Sequence, residues 1–312
     1  MATTLQLLEL SSNKGSWTLT PVYSGTPAEF ANTPYDAFVF IRNGNDHILC
    51  AYRAADGTAD LFQTKLSDPP TVKIATINLG AGWSILDAFK YYNENFLMTY
   101  RPDTGQFGFF SLGSDLAVRG KYMYVRLHAP AMSRDFTMVK SFVAGDRVII
   151  MGYGFDSGSV CLYRIEGRVS SETGAPPIAA HTVWDHVWAP GWTRFAFFRL
   201  GGEVFFLKTN TKFPNVNIDH VLDDPTTGTS EVGSNLQLVD AQMLSLVAPF
   251  EQDDSHPHFV TYRPDGAVIA YRIHSTCTGW SRLAEAKAVA NAHALLPVVI
   301  DEKQLFMLVA ES

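Results

Sequence analysis

Six copies of a short three-strand pattern constrain this chain more than any other feature of its sequence. The clearest copy is Gly82–Leu112, which predicts strands at Ile85–Phe89, Phe96–Tyr100 and Gln106–Leu112. The strands are rich in aromatic and branched side chains, and the segments between them carry Asn, Asp, Pro and Gly, which favour tight reversals. A single antiparallel meander of this kind cannot bury both of its faces, so it needs copies of itself as neighbours.

The other copies are recognised by an apolar run that ends before a polar turn and is followed by a second strand. Second strands recur as HILCAY, FLMTY, RVIIMGY, VFFLKT, HFVTY and LFMLV. A period near fifty with three or four strands per repeat is typical of a β-propeller. We therefore predict an all-β, six-bladed β-propeller with about 50 residues per blade. The first strands of the six repeats end at Phe38, Phe89, Phe142, Phe198, Phe250 and Val298.

The two ends of the sequence predict how the ring closes. The sixth repeat shows two strands, Ala294–Val298 and Leu305–Val309, and no third or fourth strand follows them. Leu5–Leu10 and Thr18–Tyr23 supply the missing pair, because GSWTLTPV in that region resembles TGWSRLAEA at a fourth-strand position of repeat five. We expect the N-terminal strands to complete the last blade, since an open ring would leave unpaired sheet edges.

Length, charge and cysteine content limit the classes of protein to which this chain can belong. The 312 residues form one array, so residues 1–312 are expected to be a single domain. The net charge of −7 argues against nucleic acid as a partner, and no apolar run is long enough for a membrane span. The three cysteines lie in separate repeats and no leader pattern opens the chain, so we expect reduced thiols and a cytoplasmic protein.

Three charged residues occupy one repeat-equivalent position in the inner strands of consecutive repeats: Asp36 in YDAF, Asp87 in LDAF and Lys140 in VKSF. Inner strands of a propeller surround a central channel, and ligands usually bind where such a channel opens. The three residues could therefore form a catalytic acid–base cluster at the channel mouth. Alternatively, the carboxylates accept backbone N–H bonds and brace turns, as buried polar groups usually do.

The segment HTVWDHVWAPGW is the most unusual stretch of the chain. Trp184, Trp188 and Trp192 could bind a planar or sugar-like ligand, and Arg194 follows them closely. His186 could act as a general acid or base near neutral pH. The alternative is an ordinary amphipathic outer strand, because apolar and polar residues alternate through it.

Tyr100 and Tyr262 belong to the almost identical turns TYRPDTG and TYRPDG. We include both as candidate substrate-binding residues, although recurrence of the turn favours a structural role for them. No nucleotide-binding fingerprint, nucleophile elbow or metal-ligand spacing is present. We therefore predict no cofactor and no metal.

The repeat pattern GW…F…FL.Y…G resembles two families. One comprises the bacterial and fungal fucose-binding propeller lectins, whose repeats are similar to Gly82–Leu112 in length and pattern. This resemblance covers most of the chain, but strand and turn residues carry it rather than a sugar site. In overall character the chain also resembles fungal hetero-Diels–Alderases of secondary metabolism, which implies an intermolecular cyclisation without a cofactor.

Divergence between the repeats favours a small-molecule enzyme over a multivalent lectin. A multivalent lectin reuses one pocket in every blade, whereas here structural positions recur and polar positions change. We therefore expect one asymmetric site for an apolar or aromatic small molecule, in a cofactor-independent cyclase or lyase-type enzyme. The alternative is a fucose-type lectin, and the sequence predicts no particular oligomer.

Overall fold

The repeats fold into six four-stranded antiparallel sheets arranged as the blades of a propeller. A computed structural model describes residues 3–125, 136–167, 179–210, 213, 215–222, 224, 227–238, 241–251 and 256–311. Blades one to five each use four consecutive strands, and blade six combines both ends of the chain. The first strand of each blade contacts the first strands of both neighbouring blades, which closes the ring around a central axis.

The first three blades contain strands β3 to β14. Blade one has β3 (Ala37–Asn43), β4 (Asp46–Tyr52), β5 (Thr58–Thr64) and β6 (Thr71–Asn78). Blade two has β7 (Ile85–Tyr91), β8 (Glu94–Arg101), β9 (Gln106–Leu112) and β10 (Val118–Val125). Blade three has β11 (Phe136–Ala144), β12 (Arg147–Gly154), β13 (Ser159–Glu166) and β14 (Ala179–Val187).

The remaining strands, and the two short 3₁₀ helices that the described residues contain, complete the ring. Blade four has β15 (Trp192–Leu200), β16 (Glu203–Asn210), β17 (Asn215–Val221) and β18 (Thr229–Gln237). Blade five has β19 (Leu246–Phe250), β20 (His258–Tyr262), β21 (Ala267–Ile273) and β22 (Trp280–Lys287). Blade six has β23 (Ala292–Ile300), β24 (Lys303–Glu311), β1 (Thr3–Asn13) and β2 (Ser16–Gly25). The 3₁₀ helices are Ala28–Phe30 and Ala241–Met243.

The predicted closure is confirmed. Strand β1 pairs with β24 from Thr3 opposite Glu311 to Leu10 opposite Gln304, and β2 then pairs with β1. Leu5, Leu7 and Leu8 are completely or almost completely buried in this arrangement. The N-terminal strands thus satisfy a sheet edge that would otherwise be open.

The hairpins are tighter than the sequence suggests. In blade two, the predicted first strand ends at Phe89 and the second begins at Phe96, but β7 and β8 pair as far as Tyr91 opposite Glu94, which leaves only Tyr92 and Asn93 in the turn. Both turn residues have positive φ angles, 46° and 64°, as a two-residue hairpin of matching twist requires. We call the side of the ring that carries these first hairpins the hairpin face, and the opposite side, where the chain passes between blades, the connection face.

The core lies between neighbouring blades. Ile41 and Cys50 of blade one, for example, pack in one cluster with Leu97 and Phe110 of blade two. All three cysteines are buried and free. No helix among the described residues is long and apolar enough to cross a membrane.

Candidate functional site

The strand registers separate Asp36 from Asp87, which the sequence placed at equivalent positions. Asp36 lies one residue before β3, is exposed, and accepts a hydrogen bond from the Ala54 N–H at 2.6 Å. Asp87 is the third residue of β7, and its true counterpart in β3 is Val39. The YDAF and LDAF motifs therefore share letters but not positions, and no contact between the described residues joins the two carboxylates.

Asp87 and Lys140 do come together, as part of an inter-blade contact. One Asp87 oxygen accepts hydrogen bonds from the Ser141 N–H at 2.7 Å and the Ser141 hydroxyl at 2.8 Å. The other oxygen lies 3.3 Å from Lys140 Nζ, whose side chain is 45% exposed. This carboxylate holds the inner strand of blade three against that of blade two, which is the bracing role that the sequence left open as an alternative.

Tyr100 and Tyr262 belong to a recurring structural position. Tyr52, Tyr153 and Tyr262 are fully buried, and their hydroxyls bond to the chain as it enters the next blade. Tyr262 donates to the Val289 carbonyl at 2.8 Å and accepts from the Ala292 N–H at 2.7 Å. Tyr100 occupies the equivalent place in blade two and is likewise fully buried. These positions anchor inter-blade connections and present no ring surface to a ligand.

Arg194 lies in an irregular part of the inner strand of blade four. The β15–β16 register shifts between Thr193 and Ala196, and Arg194 has a φ of 50°. Its Nε donates to the Ser245 carbonyl of blade five at 3.0 Å, and burial lowers the pKa of the guanidinium. Arg194 therefore faces blade five and is separate from the tryptophan segment.

The tryptophans lie on the connection face, where blade three leads into blade four. Trp188 packs against Tyr153 of its own blade and Phe206 of blade four, with ring centroids 5.8 and 5.9 Å away. Trp184 packs against Gly228, where a Cβ atom would come within 2.2 Å of the indole ring. Trp184, Trp188 and Trp192 are half-buried, whereas His186 is exposed beside Trp184.

A buried ion pair lies beneath this aromatic segment. Lys208 of β16 is 4% exposed and Asp219 of β17 is 3% exposed, and their side chains meet at 2.6 Å. The ammonium nitrogen of Lys208 lies 4.0 Å from the ring centroid of Trp188 and 4.8 Å from that of Trp192. A cation over an aromatic face is attracted by the ring quadrupole, more strongly when water is excluded. The pair and the two indole rings thus form one site.

Burial dominates the electrostatics of the pair. Desolvation lowers the pKa of Lys208 and raises the pKa of Asp219, and the attraction between the two groups opposes both shifts only in part. The second oxygen of Asp219, Oδ1, is buried and accepts no hydrogen bond from any residue in the described part of the chain. Opposed shifts in touching groups and an open acceptor oxygen are features of functional sites more often than of a core.

Only blade four has this pair. Aligned through the Tyr52, Tyr100, Tyr153 and Tyr262 position, Lys208 and Asp219 replace a small or apolar residue and a large aromatic or apolar residue in the other five blades. In blade order from one, the replaced pairs are Ala51 with Phe62, Thr99 with Phe110, Gly152 with Tyr163, Thr261 with Tyr271, and Leu308 with Leu8. The site is therefore asymmetric within a six-fold repeat.

The structure thus brings together part of the predicted set. Trp184, Trp188 and Trp192 share one region, and Asp87 and Lys140 share another. Lys208 and Asp219 were not predicted as site residues, although the second-strand alignment shows the signal, because FLKT alone carries a charge where LMTY and FVTY do not.

Comparisons with known proteins support the fold and do not identify the function of the site. No protein-family model matches the chain, and no curated protein sequence is significantly similar to it. A putative 6-phosphogluconolactonase from Bacteroides fragilis is similar in structure, with a TM-score of 0.54 and 13% identity over 95% of this chain and 84% of that one. A triple arginine-to-alanine mutant of AofleA from Arthrobotrys oligospora has a TM-score of 0.51 and 12% identity over 88% and 79% of the two chains.

A fucoside-binding protein is also among the similar structures. The SapL1 lectin in complex with alpha methyl fucoside has a TM-score of 0.50 and 14% identity, over 87% of each chain. At such identities the likeness defines the class of architecture, a six-bladed β-propeller, and leaves function to the site itself.

Proposed function

We propose that this protein is a small-molecule enzyme with one asymmetric active site, located between blades three and four beneath Trp188 and Trp192. The observation that carries the proposal is the Lys208–Asp219 pair, which occupies a position that is neutral in all five other blades. A fold gains little stability from a buried ion pair compared with a well-packed apolar pair, so its presence in one blade calls for a function.

The chemistry available there is acid–base catalysis beside aromatic walls. Lys208 can donate to a carbonyl or hydroxyl oxygen of a substrate, and Asp219 Oδ1 can accept from a hydroxyl. The two groups can also exchange a proton directly across their 2.6 Å contact. We assign these roles to Lys208 and Asp219 rather than to Asp36 or Asp87, because the latter carboxylates are engaged by backbone N–H groups.

A cofactor-free cyclisation of the hetero-Diels–Alder type suits this arrangement. A 2-(hydroxymethyl)phenol loses water when an acid protonates its benzylic hydroxyl and a base removes its phenolic proton, which leaves a conjugated C=C–C=O unit. That unit adds to an alkene by forming one C–C and one C–O bond, with no oxidant or reductant. Holding both partners in a near-attack geometry can lower such a barrier by about 7–11 kcal/mol without a nucleophile.

Carbohydrate binding is the second candidate. A sugar presents an apolar C–H face and a hydroxyl edge, and the half-buried indole of Trp188 beside an ammonium and a carboxylate offers both kinds of contact. The resemblance of the fold to a fucoside-binding lectin adds to this candidate. A lectin of this kind would bind the sugar in several blades, whereas the Lys208–Asp219 pair predicts a single site.

The test uses the full-length protein and two probes. Tryptophan fluorescence and calorimetry would follow titration with 2-(hydroxymethyl)phenol and, separately, with methyl α-fucoside. We expect one phenol site per chain, with binding lost in K208T/D219F, a variant that rebuilds the Thr99–Phe110 pair of blade two, and retained in K140T. Cyclisation of the phenol with a vinyl ether would then be measured by chromatography.

Each outcome decides between the candidates. One phenol site and faster cyclisation than in K208T/D219F would support the enzyme. Saturable binding of three or more fucosides per chain would favour the lectin. Unchanged phenol binding in K208T/D219F would remove the site from the interface between blades three and four.

A further inference from the structure

A second cleft, on the hairpin face between blades one and two, is independent of the proposed active site. Its volume is about 540 Å³, and it lies between the ends of the inner strands β3 and β7. Residues of both blades form its wall, and none of them belongs to the site beneath Trp188. The lining residues include Phe40, Arg42, Ala88, Phe89, Lys90 and Asn95.

The polar side chains of this cleft include two cations without counter-charges. Arg42 and Lys90 are exposed, and neither forms an ion pair with any residue among those described. The amide of Asn95, next to them, adds a neutral donor. An arginine and a lysine offer donors and no acceptor, so the ligand that would satisfy them carries negative charge.

The neighbouring acidic residues do not neutralise the cleft from within. Asp46 and Glu94 begin the second strands of the two hairpins, but neither lines the cleft. Asp46 instead accepts a hydrogen bond from Gln63 at 2.9 Å. The net charge of the chain is −7, yet no ion pair between described residues neutralises the two cations of this cleft.

The next inter-blade cleft provides an internal comparison. A cleft of about 440 Å³ lies between blades two and three, at the β7–β8 hairpin, the start of β12 and the end of β13, and it contains two arginines. There each cation has a carboxylate within the same cleft: Arg147 pairs with Asp146, and Arg164 pairs with Glu166. Both clefts lie between neighbouring blades, and they differ in whether their cations are paired with described carboxylates.

The apolar part of the first cleft indicates the rest of the ligand. Phe40 is half-buried and Ala88 is partly exposed, so both present apolar surface beside the charged groups. An aromatic ring against Phe40 would bury apolar area on both partners, while an attached anion reaches Arg42 and Lys90.

We propose that the cleft between blades one and two binds a small organic anion, a carboxylate or phosphate monoester attached to an aromatic or apolar group. Arg42 is the residue suited to two parallel hydrogen bonds with the anion, and Lys90 supplies a point charge. The site is separate from the active site proposed above and does not depend on its chemistry.

The experiment is a calorimetric titration of the full-length protein with benzoate and with phenyl phosphate, and with benzyl alcohol as the uncharged counterpart. We expect one anion per chain, no binding of benzyl alcohol, and affinity that falls as salt is added. The R42Q/K90Q variant should lose the binding, and R147Q/R164Q, which removes the same charge from the neighbouring cleft, should retain it.

Three results would overturn the proposal. They are the absence of anion binding in the wild-type protein, retention of binding in R42Q/K90Q, and equal loss in both double variants, which would indicate a general charge effect. Circular dichroism of the variants would establish that each is folded, and the exposed positions of Arg42 and Lys90 give no reason for unfolding. Failure here would leave the site beneath Trp188 unaffected.

Discussion

Two lysine–aspartate pairs in this propeller use the same chemistry in different surroundings. The Asp87–Lys140 pair lies on inner strands, with a lysine side chain that is 45% exposed and a carboxylate occupied by Ser141. The Lys208–Asp219 pair lies between blades, with both side chains about 5% exposed and the lysine covered by indole rings. Residue type alone therefore does not determine the surroundings of a lysine–aspartate pair in this fold.

Solvent and hydrogen bonding explain the difference. Water screens Lys140, and the N–H and hydroxyl of Ser141 donate to Asp87, so that pair holds two strands together with its carboxylate hydrogen-bonded. Lys208 and Asp219 are removed from water, and one carboxylate oxygen has no hydrogen-bond donor among the described residues. Charged groups that are already removed from water can stabilise charge on a bound substrate without first losing their own hydration.

The largest expected effect comes from breaking the buried pair on one side only. K208T should lower the free energy of unfolding by about 3–5 kcal/mol, because it leaves Asp219 buried without a counter-charge. The matched variant K140T should lower it by only about 0–1 kcal/mol, since Lys140 is 45% exposed and Asp87 keeps its hydrogen bonds from Ser141. Urea denaturation of both variants measures the difference, and equal losses would contradict the contrast between the two pairs.

A smaller effect is expected from Asp87→Asn. The amide keeps the shape of the side chain but replaces charge-assisted hydrogen bonds to Ser141 with neutral ones, which should cost about 1–2 kcal/mol of stability. Binding of 2-(hydroxymethyl)phenol should be unchanged. A loss of that binding together with unchanged stability would return the active site to the inner strands.

The fold could be predicted from the sequence because the same strand pattern recurs in six repeats. Each copy needs neighbours to bury its faces, and the match between GSWTLTPV and a fourth strand supplies the closure that the β1–β24 pairing confirms. An error in the strand bounds of one copy therefore did not change the predicted architecture. The hairpin at Tyr92 and Asn93 was predicted too long, but this did not alter the blade.

The site was harder to predict, because it consists of departures from the repeat. Matching YDAF to LDAF aligned Asp36 with Asp87, although the hairpins place them three positions apart. Lys208 lies within the apolar run VFFLKT and looks like the polar end of a strand. Its burial depends on Trp192, in the same blade, and on Trp188, which follows the last strand of blade three.

The dependence of stability on pH provides a finer test of the buried pair. Burial raises the pKa of Asp219 above the ordinary value of 3.8, so the folded protein holds this proton more tightly than the unfolded chain does. The contribution of Asp219 to stability is therefore largest below that value and falls as the pH rises through the window above it. Lys208 acts in the opposite sense at alkaline pH, because its lowered pKa makes its contribution rise as the pH approaches 10.5.

The measurement compares wild-type protein with K208T/D219F, which contains neither group. As the pH rises above 3.8, the wild-type free energy of unfolding should fall relative to that of the variant. Parallel curves would show that folding leaves the pKa of Asp219 unchanged, which would contradict the effect of burial on this carboxyl group.

No loss of stability is expected from K208T/D219F itself at neutral pH. Thr99 and Phe110 show that this pair packs at the equivalent place in blade two, where Phe110 is fully buried. Replacing a buried ion pair with apolar residues is often neutral or stabilising by about 1–4 kcal/mol, so the variant should be at least as stable as the wild type. Together with the K208T result, the free energy of unfolding of this variant distinguishes two quantities. One is the destabilisation caused by a single unpaired buried charge, and the other is the contribution of the intact pair to stability. If the double variant is as unstable as K208T, the pair is required for packing, and a structural role beneath Trp188 would replace the catalytic one.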